Sequence, residues 1–189
     1  MSFSITSRTG EAVFTVDQAK AYLNIASAFT GDDTLLADLV SSAIDIVETH
    51  NKIVLQGGTA TYKSMTWHDA HRLGLSLGVK PVTSVVSVTY TDTDDVGQTL
   101  SSDLYYLDST RTEVRIIYKS DTTLPECKEG TQIVVTVSVG YATASTVPPL
   151  YGQVLRHMVS EFYEHRANSP AEKMSIAERI MSLDRQPTF

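Results

Sequence analysis

The sequence predicts an α+β fold: a mostly helical bundle of two N-terminal and two C-terminal helices, with a β-rich insert between them. Helix-capping residues followed by apolar steps of three and four occur toward both ends of the chain. Between them, over residues 53–145, β-branched residues and tyrosine dominate, and Gly57-Gly58 and Pro148-Pro149 mark the changes of pattern. The expected organisation is a single domain over 1–189: a helical body at 14–52 and 146–183, the insert at 53–145 and a tail at 184–189.

Thr15-Val16-Asp17-Gln18 reads as a capping box, in which the Thr15 hydroxyl accepts an amide proton from the third helical position and Gln18 reaches back to the cap. Phe14 stands where a hydrophobic staple belongs, and Ala19, Tyr22 and Leu23 form the expected buried side of a short helix. Gly31-Asp32-Asp33 opens a longer helix reaching His50, its acidic first turn complementing the positive end of the helix dipole. Leu35, Leu36, Leu39, Val40, Ala43, Ile44 and Val47 make its apolar stripe. Asp38, Asp45 and Glu48 fall off the stripe, which predicts an acidic outer face.

Strands are expected at 59–67, 73–77, 82–90, 104–108, 114–118 and 132–141. Turns are expected at Gly78 and Pro81, at Asp92–Gly97, and from Pro125 through Gly130. Val82, Val86 and Val88 share one parity with Tyr90, as on a strand with one buried face. Pro148-Pro149 restarts helix, because proline suits the first turn, where its missing amide is not needed. Leu150, Val154, Met158 and Phe162 then recur at steps of four, flanked by Tyr151, Leu155 and Val159. Ser169-Pro170-Ala171-Glu172 caps a last helix with Met174, Ala177, Ile180 and Met181 on one side.

The formal net charge of -7 argues against a protein that coats nucleic acid by neutralising phosphates. The single cysteine, Cys127, excludes an intrachain disulfide. Residues 1–10 are polar and lack the basic and apolar regions of a secretory signal, and no apolar run is long enough to span a membrane, so synthesis in the cytoplasm is expected.

Motifs that would carry catalysis are weak. His68 and His71, three apart after Trp67, would point to opposite faces of a strand, which favours a polar turn over a metal site. His157, Glu161 and His165 line one helix face but do not make the HExxH of zinc proteases. Asp92, Asp94, Gly97 and Asp103 imitate part of a calcium loop, but Val96 stands at a ligand position, so a hairpin tip is the better reading. No nucleophile elbow, P-loop or dinucleotide fingerprint occurs. Thus no catalytic residue, cofactor or metal site is expected. The rival from another class is a small-ligand-binding module or hydrolase with Trp67, His68 and His71 in a site within the insert.

Phe14 through Leu23, the helix from Asp32 to Asn51, and the run Pro81 through Tyr90 followed by an acidic turn and Tyr105-Tyr106-Leu107-Asp108 resemble the head–tail connector proteins of tailed double-stranded DNA phages. So do Gly140-Tyr141, Val147-Pro148-Pro149 and the helix ending Glu161-Phe162-Tyr163-Glu164-His165-Arg166, where the family has an aromatic-Tyr-Glu-x-Arg run. Many members close in Tyr-Arg, whereas here Asp184 precedes Arg185. The resemblance covers nearly the whole chain and implies a virion adaptor ring of about a dozen copies under the portal, docking a stopper or tail protein and passing DNA without sequence-specific binding. A neck or tail-completion protein is the runner-up. On this reading Asp32, Asp33, Asp38, Asp45 and Glu48 are candidates to face the channel, where negative charge repels phosphates. Glu161, Glu164, His165 and Arg166 are candidates for the subunit interface. Leu183, Asp184, Arg185, Gln186, Pro187, Thr188 and Phe189 are candidates for portal contact, as a short extended segment suits pairing with another protein.

Overall fold

The computed structural model describes residues 2–64, 67, 74–110, 114–119 and 123–164. The chain divides into two compact units, one formed by 1–10 and 57–140 and the other by 11–56 and 141–189.

The first unit is all β. Strands β1 (Ser2–Arg8), β2 (Gly58–Ser64), β8 (Ile133–Val139), β4 (Val82–Thr91) and β5 (Gly97–Thr99) form an antiparallel sheet in that order. A second antiparallel sheet has the order β3 (Leu75–Ser76), β7 (Arg115–Tyr118), β6 (Tyr105–Asp108). β8 lies at the centre of the larger sheet and alternates strictly: Ile133, Val135, Val137 and Val139 are buried while Val134, Thr136 and Ser138 are half-buried. That period of two is what a sheet covered more on one face than the other demands. Ala60 and Tyr62 of β2 and Val88 of β4 bury beside them.

The second unit holds α1 (Val16–Tyr22), α2 (Asp33–Asn51) and α3 (Pro149–Glu164). Phe14, Ala19, Val40, Ala43, Val47, Leu55, Val154, Leu155 and Val159 are among its core residues. The capping box forms as expected: the Gln18 amide donates to the Thr15 hydroxyl at 3.3 Å, and the Thr15 amide to Gln18 Oε1 at 3.0 Å. Tyr22, expected inside, is 41% exposed, and the neighbouring Lys20 is buried instead.

The expected helical bundle is therefore corrected. Among the described residues there are three helices against eight strands in two antiparallel sheets, so the fold is β-rich. The expected fourth helix, at 169–183, lies outside the described residues. All six expected strands are present, several of them shorter, and two more, β1 and β5, stand where the sequence pattern signals none. β1 reads as polar because Phe3 and Ile5 alternate with serine and threonine on an edge strand, and those hydroxyls join a ladder: Ser4 Oγ to Thr61 Oγ1 at 2.9 Å and Ser7 Oγ to Thr59 Oγ1 at 2.8 Å. The single parity expected along β4 also fails. Its register against β8 shifts between Val82 and Ser84 and again between Val85 and Ser87, and Val86 ends up 56% exposed.

Candidate functional site

α2 carries the acidic residues singled out from the sequence, and its packing separates them into two groups. Asp32 accepts a hydrogen bond from the Tyr163 hydroxyl at 2.6 Å, linking the start of α2 to α3. Asp33 pairs with the ammonium of Lys20, whose side chain is 4% exposed. Glu48 is buried, and its Oε1 accepts the Leu55 amide at 2.8 Å, so it is not on the outer face the helix periodicity assigned it. Asp38 and Asp45 are exposed and share the outer face of α2 with Ala37, Ser41, Ser42 and Ile46. Lys20 and Tyr163 lie on other helices and Leu55 lies beyond the helix end, so the periodicity of α2 alone does not assign these three carboxylates.

On α3, Glu161 is half-buried, and exposed Glu164 accepts the Ser160 hydroxyl at 3.3 Å. His157 meets the Tyr22 ring edge-on at 6.3 Å. His165 and Arg166 lie outside the described residues, as do Leu183 through Phe189.

The segment Asp92–Gly97 is a hairpin tip, as its composition suggested. Asp92 organises it: Oδ1 accepts the amides of Asp94 at 3.1 Å and Val96 at 2.9 Å, and Oδ2 accepts the Gln98 side-chain amide at 2.9 Å. These donors, the Gln98 amide first, hold the Asp92 carboxyl below the usual carboxylate range. Asp95 adopts positive φ (68°) and its carboxylate meets Lys128 at 2.8 Å, while Val96 at the tip is 51% exposed.

Trp67, the centre of the rival ligand site, is a packing residue. Its indole N–H donates to the Pro125 carbonyl at 2.9 Å, and its ring meets Tyr90 of β4 at 5.6 Å and Tyr118 of β7 at 5.7 Å, tying the two sheets together. Tyr105 adds a further edge contact to Tyr118 at 6.3 Å. Burial pushes the Tyr118 phenol up to about 12 and raises Tyr105 and the Cys127 thiol as well. The surface beside Trp67, along Leu124, Pro125 and Cys127, is an open depression rather than a deep pocket. His68 and His71 lie outside the described residues. Among the described residues no three His, Cys, Asp or Glu side chains come together in a way that could hold a metal ion, and no helix is long and apolar enough to cross a membrane.

No protein-family model matches the chain, and no curated protein matches it in sequence. Solved structures match it throughout. A chain from the neck of an empty gene transfer agent (GTA) particle, computed with C6 symmetry, aligns over 100% of this chain and 97% of its own with a TM-score of 0.82 at 18% identity. A chain from the virion of a native GTA particle aligns over the same shares with a TM-score of 0.82 at 17% identity. One from the neck of a native GTA particle, computed with C12 symmetry, does so with a TM-score of 0.73 at 18% identity. The chain thus has, from end to end, a fold found in GTA necks, in agreement with the resemblance to head–tail connectors carried by its motifs.

Proposed function

We propose that this chain is a structural virion protein: a ring adaptor in the neck, between the portal vertex and the tail, which extends the DNA channel and performs no catalysis. The observation that carries this reading is the fold shared over the whole chain with GTA neck structures computed with C6 and C12 symmetry. A cyclic ring needs two unlike lateral surfaces on each copy, and a net charge of -7 suits a wall that DNA passes without adsorbing.

Within this reading Asp38 and Asp45 are the carboxylates of α2 available to face the channel, since Asp32, Asp33 and Glu48 are engaged inside their own unit. Glu161 and Glu164, with His165 and Arg166, are assigned to the contact between subunits, and 183–189 to the portal. Truncation after Ser182 tests the last assignment: heads should attach poorly while the purified chain keeps its unfolding midpoint, and normal attachment would reject it.

Deleting the coding sequence from the parental phage tests the function itself. The expected result is DNA-filled or leaking heads without tails, beside free finished tails. Tailed, infectious particles would overturn the proposal. Recovery of the wild-type chain with isolated tails rather than with heads would favour a tail-completion protein.

A further inference from the structure

Among the described residues the larger sheet ends in two open edges of similar chemistry. At one end β1 pairs only with β2 among the described residues. Phe3, Ser4 and Thr6 on it are exposed. At the other end, β5 covers only Thr89–Thr91 of β4, and the Leu100 amide takes the Val88 carbonyl at 2.8 Å. Residues 82–87 of β4 have no second strand among the described residues, and Thr83, Ser84 and Val86 there are exposed. An open edge leaves every second backbone N–H and C=O facing outward.

Edge strands in stable monomers are commonly guarded by lysine, proline or inward-pointing charge. β1 carries no lysine, proline or acidic residue in Ser2–Arg8 and ends on Arg8, and Val82–Thr91 contains no charged residue. Lys80-Pro81 does precede β4, and register shifts interrupt both strands, β1 between Ile5 and Ser7 and β4 between Val82 and Ser84 and between Val85 and Ser87. Both edges are rich in hydroxyls, and hydroxyl pairs already join β1 to β2 through Ser4–Thr61 and Ser7–Thr59. Ser84 and Ser87 offer hydroxyls for a similar ladder against Ser4 and Thr6, while the Thr83 hydroxyl donates to the Ser138 carbonyl of its own sheet.

Strand direction supplies the decisive constraint. β1, β2, β8 and β4 alternate in sense along the sheet, so β4 runs opposite to β1. Rotation about a ring axis preserves the sense of a strand along that axis. β4 of one copy laid beside β1 of the next would therefore meet it antiparallel, as neighbouring strands within the sheet do.

From these edges we infer that neighbouring copies join head to tail through their sheets, the outer edge of β4 (residues 82–87) in one copy pairing with β1 in the next. The inference rests on the ring reading above and names its lateral contact. A second copy is the fitting occupant because the same chain carries both halves of the pair.

Thiol cross-linking in necks purified from virions tests it, in a Cys127→Ser background with a short bismaleimide. Ser4→Cys and Thr6→Cys are each combined with Ser84→Cys and with Val86→Cys, so that neither strand register is assumed. The expected result is a ladder of covalent multimers extending past dimer in at least one double variant, and monomer only in each single variant. Rings intact by electron microscopy with no ladder in any combination would overturn the pairing and leave the ring standing. Dimers from a single variant would show like edges meeting, which also overturns it. Necks that lack a ring of this chain would defeat the ring reading, and the pairing with it.

Discussion

Glu48 sits in the last turn of α2 and accepts the Leu55 amide at 2.8 Å in a buried setting, joining the helix end to the segment that follows. Removing the carboxylate leaves that N–H without its partner, so Glu48→Ala should lower unfolding free energy by about 1–3 kcal/mol in denaturant titrations. Glu48→Gln keeps an acceptor and should cost clearly less; equal losses would show that the bond is not what matters. Gly58 is a steric case. A Cβ there would come within 2.0 Å of the Ser7 carbonyl oxygen on β1. Gly58→Ala should therefore push β1 away from β2, destabilise by about 1–3 kcal/mol and strip hydrogen-exchange protection from the amides of Ser2–Arg8. Retained protection would contradict the tight approach.

Elements defined by local pattern were legible. The capping box, the stripe of α2, the proline start of α3 and the acidic hairpin tip all depend on residues within a few positions of each other. Thr15→Ala should accordingly cost about 1 kcal/mol, read as a lower thermal midpoint. What escaped depends on distant partners. β1 is stabilised by pairing with residues some fifty positions away, so its hydroxyls read as a polar terminus. The bulges of β4 exist only relative to β8, and sequence parity alone places Val86 on one face with Val82 and Val88. The same holds among the candidate site residues, where Lys20 and Tyr163 claim Asp33 and Asp32 across the fold.

The contact between sheets through Trp67 and Tyr118 has a pH signature. The folded Tyr118 phenol holds its proton up to about 12, while an unfolded tyrosine releases it at about 10. Between those values the unfolded chain has fewer bound protons, so stability is intact below about pH 10 and falls as pH rises toward about 12. Comparing denaturation midpoints across that range with those of Tyr118→Phe checks this. The variant should show a shallower decline, and an unchanged slope would assign the effect elsewhere.

On the proposed function the whole molecule is one copy of many, in a neck, around a channel. The fold likeness to chains of GTA particles over the whole chain supports that proposal, and the net charge of -7 suits it. A change of charge on the outer face of α2 belongs to this scale as well. Asp38→Lys with Asp45→Lys should leave the unfolding midpoint of the isolated chain nearly unchanged but slow DNA ejection from assembled particles, and ejection at the wild-type rate would remove these two residues from the channel wall. The most direct measurement is a cryo-electron-microscopy reconstruction of the neck in the parental virion. This chain is expected as a closed ring between portal and tail, with DNA or its path running through the centre. A neck of tailed, DNA-filled particles in which the chain is absent, or present only away from the channel axis, would contradict it.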